Sequence, residues 1–340
     1  MYRFAILSAL FFAAGCNSPG EEHRLLTLSG ETMGTTYTVK VVDLPESQVE
    51  TELALKLKSE LDRLEDLMST YREDSELSRL NRNTSGEWFE VSLDTANVIS
   101  LGIEIGDSTD GAFDITVNPL IALWNFGPTK QADPSLPTEE AIAAAMQNLG
   151  FSTIQIRDYP AAVRKTNTNV AIDLSAVAKG YAVDALANLL DEADIKNYMI
   201  EVGGEVRTAG DNNFGEPWSI GIEAPVAGER KLQRAVPISG VAMATSGDYR
   251  NHYELDGKRY SHLIDPRIGR PVEHELVSVS VVEKSCARAD AWATGLLVLG
   301  PEDGYRVAVK NELAVLFISK SDEGLEEHPT PLFKQKYMKR

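Results

Sequence analysis

The chain has 340 residues, 43% of them hydrophobic, and a formal net charge of −18 from 51 acidic and 33 basic residues. That length and composition suffice to bury a core, while the acidity argues against binding nucleic acid or lying flat on anionic lipid. A polyanionic ligand would need a local positive site or a metal ion.

Met1-Tyr2-Arg3 supplies a positive charge, Phe4 to Ala14 is a short apolar run, and Ala13-Ala14-Gly15-Cys16 closes it. A charged start, an apolar stretch too short to span a bilayer with ease, and small residues at a cleavage point predict a signal peptide over 1–15. The cysteine behind Gly15 gives it the form of a bacterial lipoprotein signal, with Cys16 lipidated and 16–26 as a polar tether. A plain secretory signal with an incidental cysteine is the alternative. Asn17 after the cysteine, rather than an aspartate, permits sorting to an outer membrane if the cell has one. The only other cysteine, Cys286, is then left without a disulfide partner. Residues 27–340 are expected to form one catalytic body that depends on its core.

Leu28 to Val42 reads as two strands around Met33-Gly34. Glu46 to Met68 predicts an amphipathic helix, because Leu53, Leu57, Leu61, Leu64 and Met68 recur at three and four. A second helix is expected from Asp94, as cap, to about Asp107. Gly111 to Pro119 and Leu123 to Gly127 supply aromatics and amides suited to a flat ring, or simply to a core. Phe126 to Pro137 reads as an internal loop, and Thr138 to Leu149 as a third helix with Glu139 and Glu140 in its first turn.

Val170 to Leu174 predicts a strand that ends on an acid, with Ser175 capping a helix that carries Lys179 in its first turn. A helix N-terminus is a ready anion site, although the same pattern is also ordinary helix punctuation. From Asn197 the texture turns to strands, at Met199–Val202, Trp218–Glu223 and Val277–Val282, with a hairpin over His252–His262 through Asp256-Gly257. Ser261 to Pro271 gathers His262, Asp265 and Arg267, a setting for acid–base work or for turn chemistry. Ser285 to Gly300 predicts a helix in which Asp290 and Thr294, four apart, share a face. Their hard oxygens suit Mg²⁺ or Ca²⁺ over Zn²⁺; a surface acid beside a threonine bonded to its own backbone is the other reading. Helices mixed with largely antiparallel strands favour an α+β fold.

Eight segments together resemble one family, the ApbE-type FAD:protein FMN transferases, which are membrane-anchored flavin-trafficking lipoproteins. They are Met33-Gly-Thr, Met68 to Asn81, Gly111 to Pro119, Asp173 to Asp184, Gly203-Gly-Glu205, Ala244 to Arg250, Tyr260 to Pro266 and Ala289 to Thr294, in family order. The resemblance implies Mg²⁺-dependent transfer of the FMN half of FAD to a threonine hydroxyl of an acceptor protein, with release of AMP. It implies that Asp290, Thr294 and the carbonyl of Ala176 hold Mg²⁺, and that Lys179 sits by the phosphates. Met33, Tyr71, Ala112, Phe113, Asp114, Asp173 and Leu263 are expected to hold FAD. His262 is expected to activate the threonine, with Asp265 orienting it or serving as an alternative base.

Family acceptors are subunits of sodium-pumping quinone reductases and related membrane electron-transport complexes, modified at a Ser/Thr-Gly-Ala-Thr-type motif. The implied location is extracytoplasmic, on a lipid anchor at the inner or outer membrane. Two residues depart from the family pattern, Ser175 in place of glycine and Trp292 in place of a smaller residue. Ser175 is expected either to cap its helix or to crowd the metal. Hydrolysis of FAD to FMN and AMP, and flavin binding without turnover, are the other functional classes open to the sequence.

Overall fold

A computed structural model describes residues 23–126, 135–225, 231–248, 252–255 and 257–338. The signal peptide, Cys16, most of the tether and most of the Phe126 to Pro137 loop lie outside the described residues. Its frame is an eight-stranded antiparallel sheet in the order Leu25–Thr32, Thr35–Val42, Tyr198–Val202, Glu205–Ala209, Ala242–Gly247, Leu276–Glu283, Ala314–Ser321, Gly324–Pro329. Alternation along each strand sends side chains to opposite faces. Val315 and Phe317 join the larger core under the helices, whereas Ala314, Leu316 and Ile318 face a second core. That second face is covered by the Trp218–Glu223/Leu232–Ile238 hairpin and by the terminal helix Pro331–Tyr337, through Phe333. The Leu276–Glu283 strand is thus sandwiched and buried along almost its whole length. Among the described residues no helix is long and apolar enough to cross a membrane.

The helical face positions the site. The helix Glu50–Met68 starts four residues later than its periodicity suggests, and its predicted stripe, Leu53 to Met68, is buried throughout. The next long helix, Leu93–Ser108, is capped by Ser92 and not by Asp94, because the Ser92 hydroxyl accepts from the Thr95 amide. Asp94 instead pairs with Arg63 at 2.8 Å and accepts from the Tyr181 hydroxyl at 2.5 Å. The third predicted helix spans Glu139–Met146 with Thr138 as its cap.

The run Val170 to Leu174 is not a strand. Its backbone is paired elsewhere: both polar groups of Ile172 bond the Asn81 side chain at 2.8 Å, and the Asp173 amide donates to the Ile115 carbonyl. Nor does Ser175 cap the helix behind it, which runs Ala178–Glu192 from Val177 with no side-chain cap. Ser175 is exposed, and its amide donates to Asp173 Oδ1. The helix of Asp290, Cys286–Lys310, is capped by Ser285 and broken at Gly300, where φ is 83°. The fold is the expected α+β body.

Candidate active site

The Lys179 helix and the Asp290 helix meet at Gly180, where a Cβ would lie 2.5 Å from the Cys286 carbonyl oxygen. Only glycine lets the two backbones approach so closely. Asp184, one turn on, fastens the contact. Its carboxylate accepts from Arg207 at 2.6 Å, the Ser285 hydroxyl at 2.7 Å, the Cys286 amide at 3.0 Å and the Ala287 amide at 3.1 Å. This junction presents Lys179 and Ala176 opposite Asp290 and Thr294.

Two adjoining cavities open there, of about 350 and 430 Å³, and share Asp173, Ser175 and Lys179. The first is lined by Ala112, Phe113, Asp114, Ala176, His262, Leu263, Asp290 and Thr294 besides the shared residues. Met33 and Tyr71 line the second, beside Leu64, Glu65 and Met68. Met33 adopts a left-handed conformation (φ 48°) at its two-residue turn, uncommon for a residue with a side chain, and Tyr71 is 78% exposed at the rim. The structure therefore brings every expected flavin, metal and catalytic residue to one cleft except Asp265. That carboxylate, 7% exposed, is engaged with the Arg267 guanidinium at 2.9 and 2.7 Å and does not line either cavity. Its pairing belongs to the turn chemistry open to this segment, and His262 lines the cavity without it.

The electrostatics centre on a part-buried lysine between two buried carboxylates. Lys179 Nζ lies 3.1 Å from Glu205 Oε1 and 3.6 Å from Asp290 Oδ2. Burial pushes the Asp290 carboxyl up, and Lys179 opposes this without cancelling it. Burial, then the neighbouring Asp290, push the Glu205 carboxyl above the usual carboxylate range, against the pull of Lys179. Burial alone would lower the Lys179 ammonium; Asp290 and Glu205 together outweigh it and hold it above the ordinary lysine value. Asp114 is also pushed up by burial, partly offset by the Thr116 hydroxyl and amide. Among the described residues the two cavities are lined by five carboxylates, Glu65, Asp114, Asp173, Glu205 and Asp290, and by one lysine.

This donor set fits a hard divalent cation. The Gly180 amide, which a continuous helix would aim at the Ala176 carbonyl, donates instead to Asp290 Oδ2 at 3.1 Å. Thr294 Oγ1 lies 2.9 Å from Ser246 Oγ, and Glu205 Oε2 is buried without a partner. Carbonyl, carboxylate and hydroxyl oxygens are what Mg²⁺ or Ca²⁺ prefer. Among the described residues no three His, Cys, Asp or Glu side chains converge as a metal cluster. Glu205 and Ser246 are functional candidates that the sequence reading does not single out, although both stand in the segments of the resemblance. The signal for Glu205 is an acid placed behind two glycines at the head of a short strand, Glu205–Ala209.

The profile of the ApbE family matches residues 33–317. The chain is 44% identical over 328 residues to an FAD:protein FMN transferase of Vibrio cholerae, covering 96% of each. It is 40% identical over 339 residues to the FAD:protein FMN transferase of Escherichia coli K12, covering 98% of this chain and 96% of that one. The solved flavin transferase ApbE of Vibrio cholerae superposes with a TM-score of 0.85 at 43% identity, over 92% of this chain and 99% of that one. A histidine-to-glycine variant of it gives 0.84. The apo flavinyl transferase ApbE of Pseudomonas stutzeri gives 0.85 at 35% identity, over 94% and 98%.

Proposed function

We propose, for a chain that belongs to the ApbE family, that it is an FAD:protein FMN transferase that moves the FMN half of FAD onto a threonine hydroxyl of an acceptor protein. The observation that carries the reading is the convergence of residues from six distant segments on one cleft. In this reading FAD lies across both cavities, and its pyrophosphate rests at the shared Asp173–Lys179 segment. Asp290, Thr294 and the Ala176 carbonyl would hold Mg²⁺, which supplies charge neutralisation at the pyrophosphate. Support for a cation comes from charge: five carboxylates face a ligand that is itself an anion, against one lysine.

Lys179 holds a phosphate oxygen, and Asp114 and Phe113 position the dinucleotide. His262 takes the proton of the incoming threonine hydroxyl, a role suited to a group whose ordinary pKa lies near about 6.5. The threonine oxygen bonds the FMN phosphorus, the bond from that phosphorus to the bridging oxygen breaks, and AMP leaves with that oxygen. The acceptor is a subunit of a membrane electron-transport complex. The enzyme is a lipoprotein held through Cys16 on the extracytoplasmic side; the charged start, short apolar run and small residues before Cys16 support this.

The test incubates the chain with FAD, Mg²⁺ and a threonine-bearing acceptor, and weighs the acceptor by mass spectrometry. A mass gain equal to FMN, absent with EDTA and in Asp290→Ala, is the expected result. Free FMN and AMP beside an unmodified acceptor would replace transfer with hydrolysis, and intact FAD would refute both. Retention of Cys16→Ser in the membrane fraction would refute the anchor.

A further inference from the structure

The Gly203-Gly204-Glu205 turn grips Lys179 at two points. Gly203 and Gly204 take positive φ values of 62° and 106°, in a two-residue hairpin loop of the kind that glycine favours. A Cβ on Gly203 would lie 3.0 Å from Lys179 Cδ and 2.9 Å from Thr35 Cγ2, so the lysine stem runs directly over that glycine. Glu205, at the head of the following strand and 4% exposed, meets the lysine head at 3.1 Å. The ammonium is 3.6 Å from Asp290 Oδ2. The lysine side chain is only partly exposed, at 28%, and without Glu205 the anionic partner left within reach of its ammonium is Asp290.

We infer that Glu205 is a positioning residue for the transfer reaction: it holds the Lys179 ammonium off Asp290, so that the Asp290 carboxylate stays open to a divalent cation while the ammonium faces the cleft. Loss of Glu205 lets Lys179 close on Asp290 and compete with the cation for it. The inference rests on the cation site of the proposed function and extends it to a residue outside the ligand set.

The test measures Mn²⁺ binding to the full chain by electron paramagnetic resonance, without FAD or acceptor, so it does not depend on transfer. Mn²⁺ takes the same hard oxygen donors. Glu205→Ala is expected to weaken binding by about tenfold or more, the scale of one charge contact in a partly desolvated site. Lys179→Met is expected to bind at least as tightly as wild type, and adding Glu205→Ala to it is expected to change little. Glu205→Gln, whose amide oxygen still accepts from the ammonium, should fall between wild type and alanine, and repeats the comparison if the alanine variant does not fold. An equal loss in the wild-type and Lys179→Met backgrounds would overturn the inference alone, since Glu205 would then act without the lysine. Absence of Mn²⁺ binding by the wild-type chain would overturn the cation site and the inference with it.

Discussion

Gly180→Ala sets helix propensity against packing, and the structure decides the sign. In an ordinary helix alanine is favoured over glycine by about 1 kcal/mol. Here the added Cβ would lie 2.5 Å from the Cys286 carbonyl oxygen, 2.7 Å from its carbon and 2.8 Å from Ala287 Cα. All three are backbone atoms, so no rotamer change relieves them. Restoring an ordinary contact of about 3.5 Å requires the two helices to part by on the order of 1 Å. Overpacking of this kind costs about 1–3 kcal/mol. Parting the helices also stretches the Gly180 amide bond to Asp290, worth roughly 1.5–3 kcal/mol when the acceptor is charged. The sum outweighs the propensity gain and leaves the variant about 1.5–5 kcal/mol less stable, still folded if the parent has an ordinary reserve. A shift of about 1 Å between Lys179 and Asp290 should also slow FMN transfer by up to about 100-fold. Urea unfolding of the full chain and initial rates of acceptor labelling read the two effects. A variant as stable as wild type that labels at the wild-type rate would refute the close-approach argument.

Three further outcomes follow from the same geometry. Asp184→Ala should cost about 3 kcal/mol in urea unfolding, because it strands the half-buried Arg207 and three donors of the Asp290 helix start; Asp184→Asn should cost less. Burial raises the Asp114 carboxyl, so its contribution to stability is full below its unfolded value and is lost as pH rises through the raised value. Asp114→Asn should therefore gain stability relative to wild type as pH rises above about 4, and a difference that is flat in pH would sink this. Ser175→Gly should stay within about 1 kcal/mol of wild type and bind Mn²⁺ alike, because the hydroxyl neither caps the helix nor is buried; a gain of tenfold in Mn²⁺ affinity would show that Ser175 crowds the cation.

Periodicity exposed the helix stripe at Leu53, Leu57, Leu61, Leu64 and Met68, and ordered segments carried the resemblance, because both depend on local spacing. What failed were the places where another side chain, near or far in sequence, takes the partner that composition suggests. Val170 to Leu174 has strand composition, but Asn81 takes the backbone bonds of Ile172 that a neighbouring strand would make. Asp94 had the composition of a cap, yet Ser92 two residues earlier reaches the Thr95 amide, and Arg63 and Tyr181 claim the aspartate. Asp265 sits three residues from His262, but Arg267 lies nearer in sequence and takes both of its oxygens. Glu205 could be seen as part of a segment, while its contact with Lys179 needs the closure of the sheet onto the helix.

The charge of the chain acquires its meaning at this cleft. A protein at −18 that takes a pyrophosphate needs a local source of positive charge, and the natural candidate is Lys179. That ammonium is already shared between Glu205 and Asp290, so the trio offers an incoming anion no surplus of positive charge. Adding basic residues at the rim would not alter this, since surface charges are screened within about 8–10 Å at ordinary ionic strength. A divalent cation held by Asp290, as proposed, would reverse the balance: it would satisfy one carboxylate of the pair, leave Lys179 to the other and bring positive charge to the floor of the first cavity. FAD affinity should therefore depend on the cation far more steeply than on salt. Titration of FAD fluorescence against the chain in EDTA and in Mg²⁺, each at low and high ionic strength, measures this. Equal affinity with and without the cation would mean that the carboxylates of the trio are not the barrier.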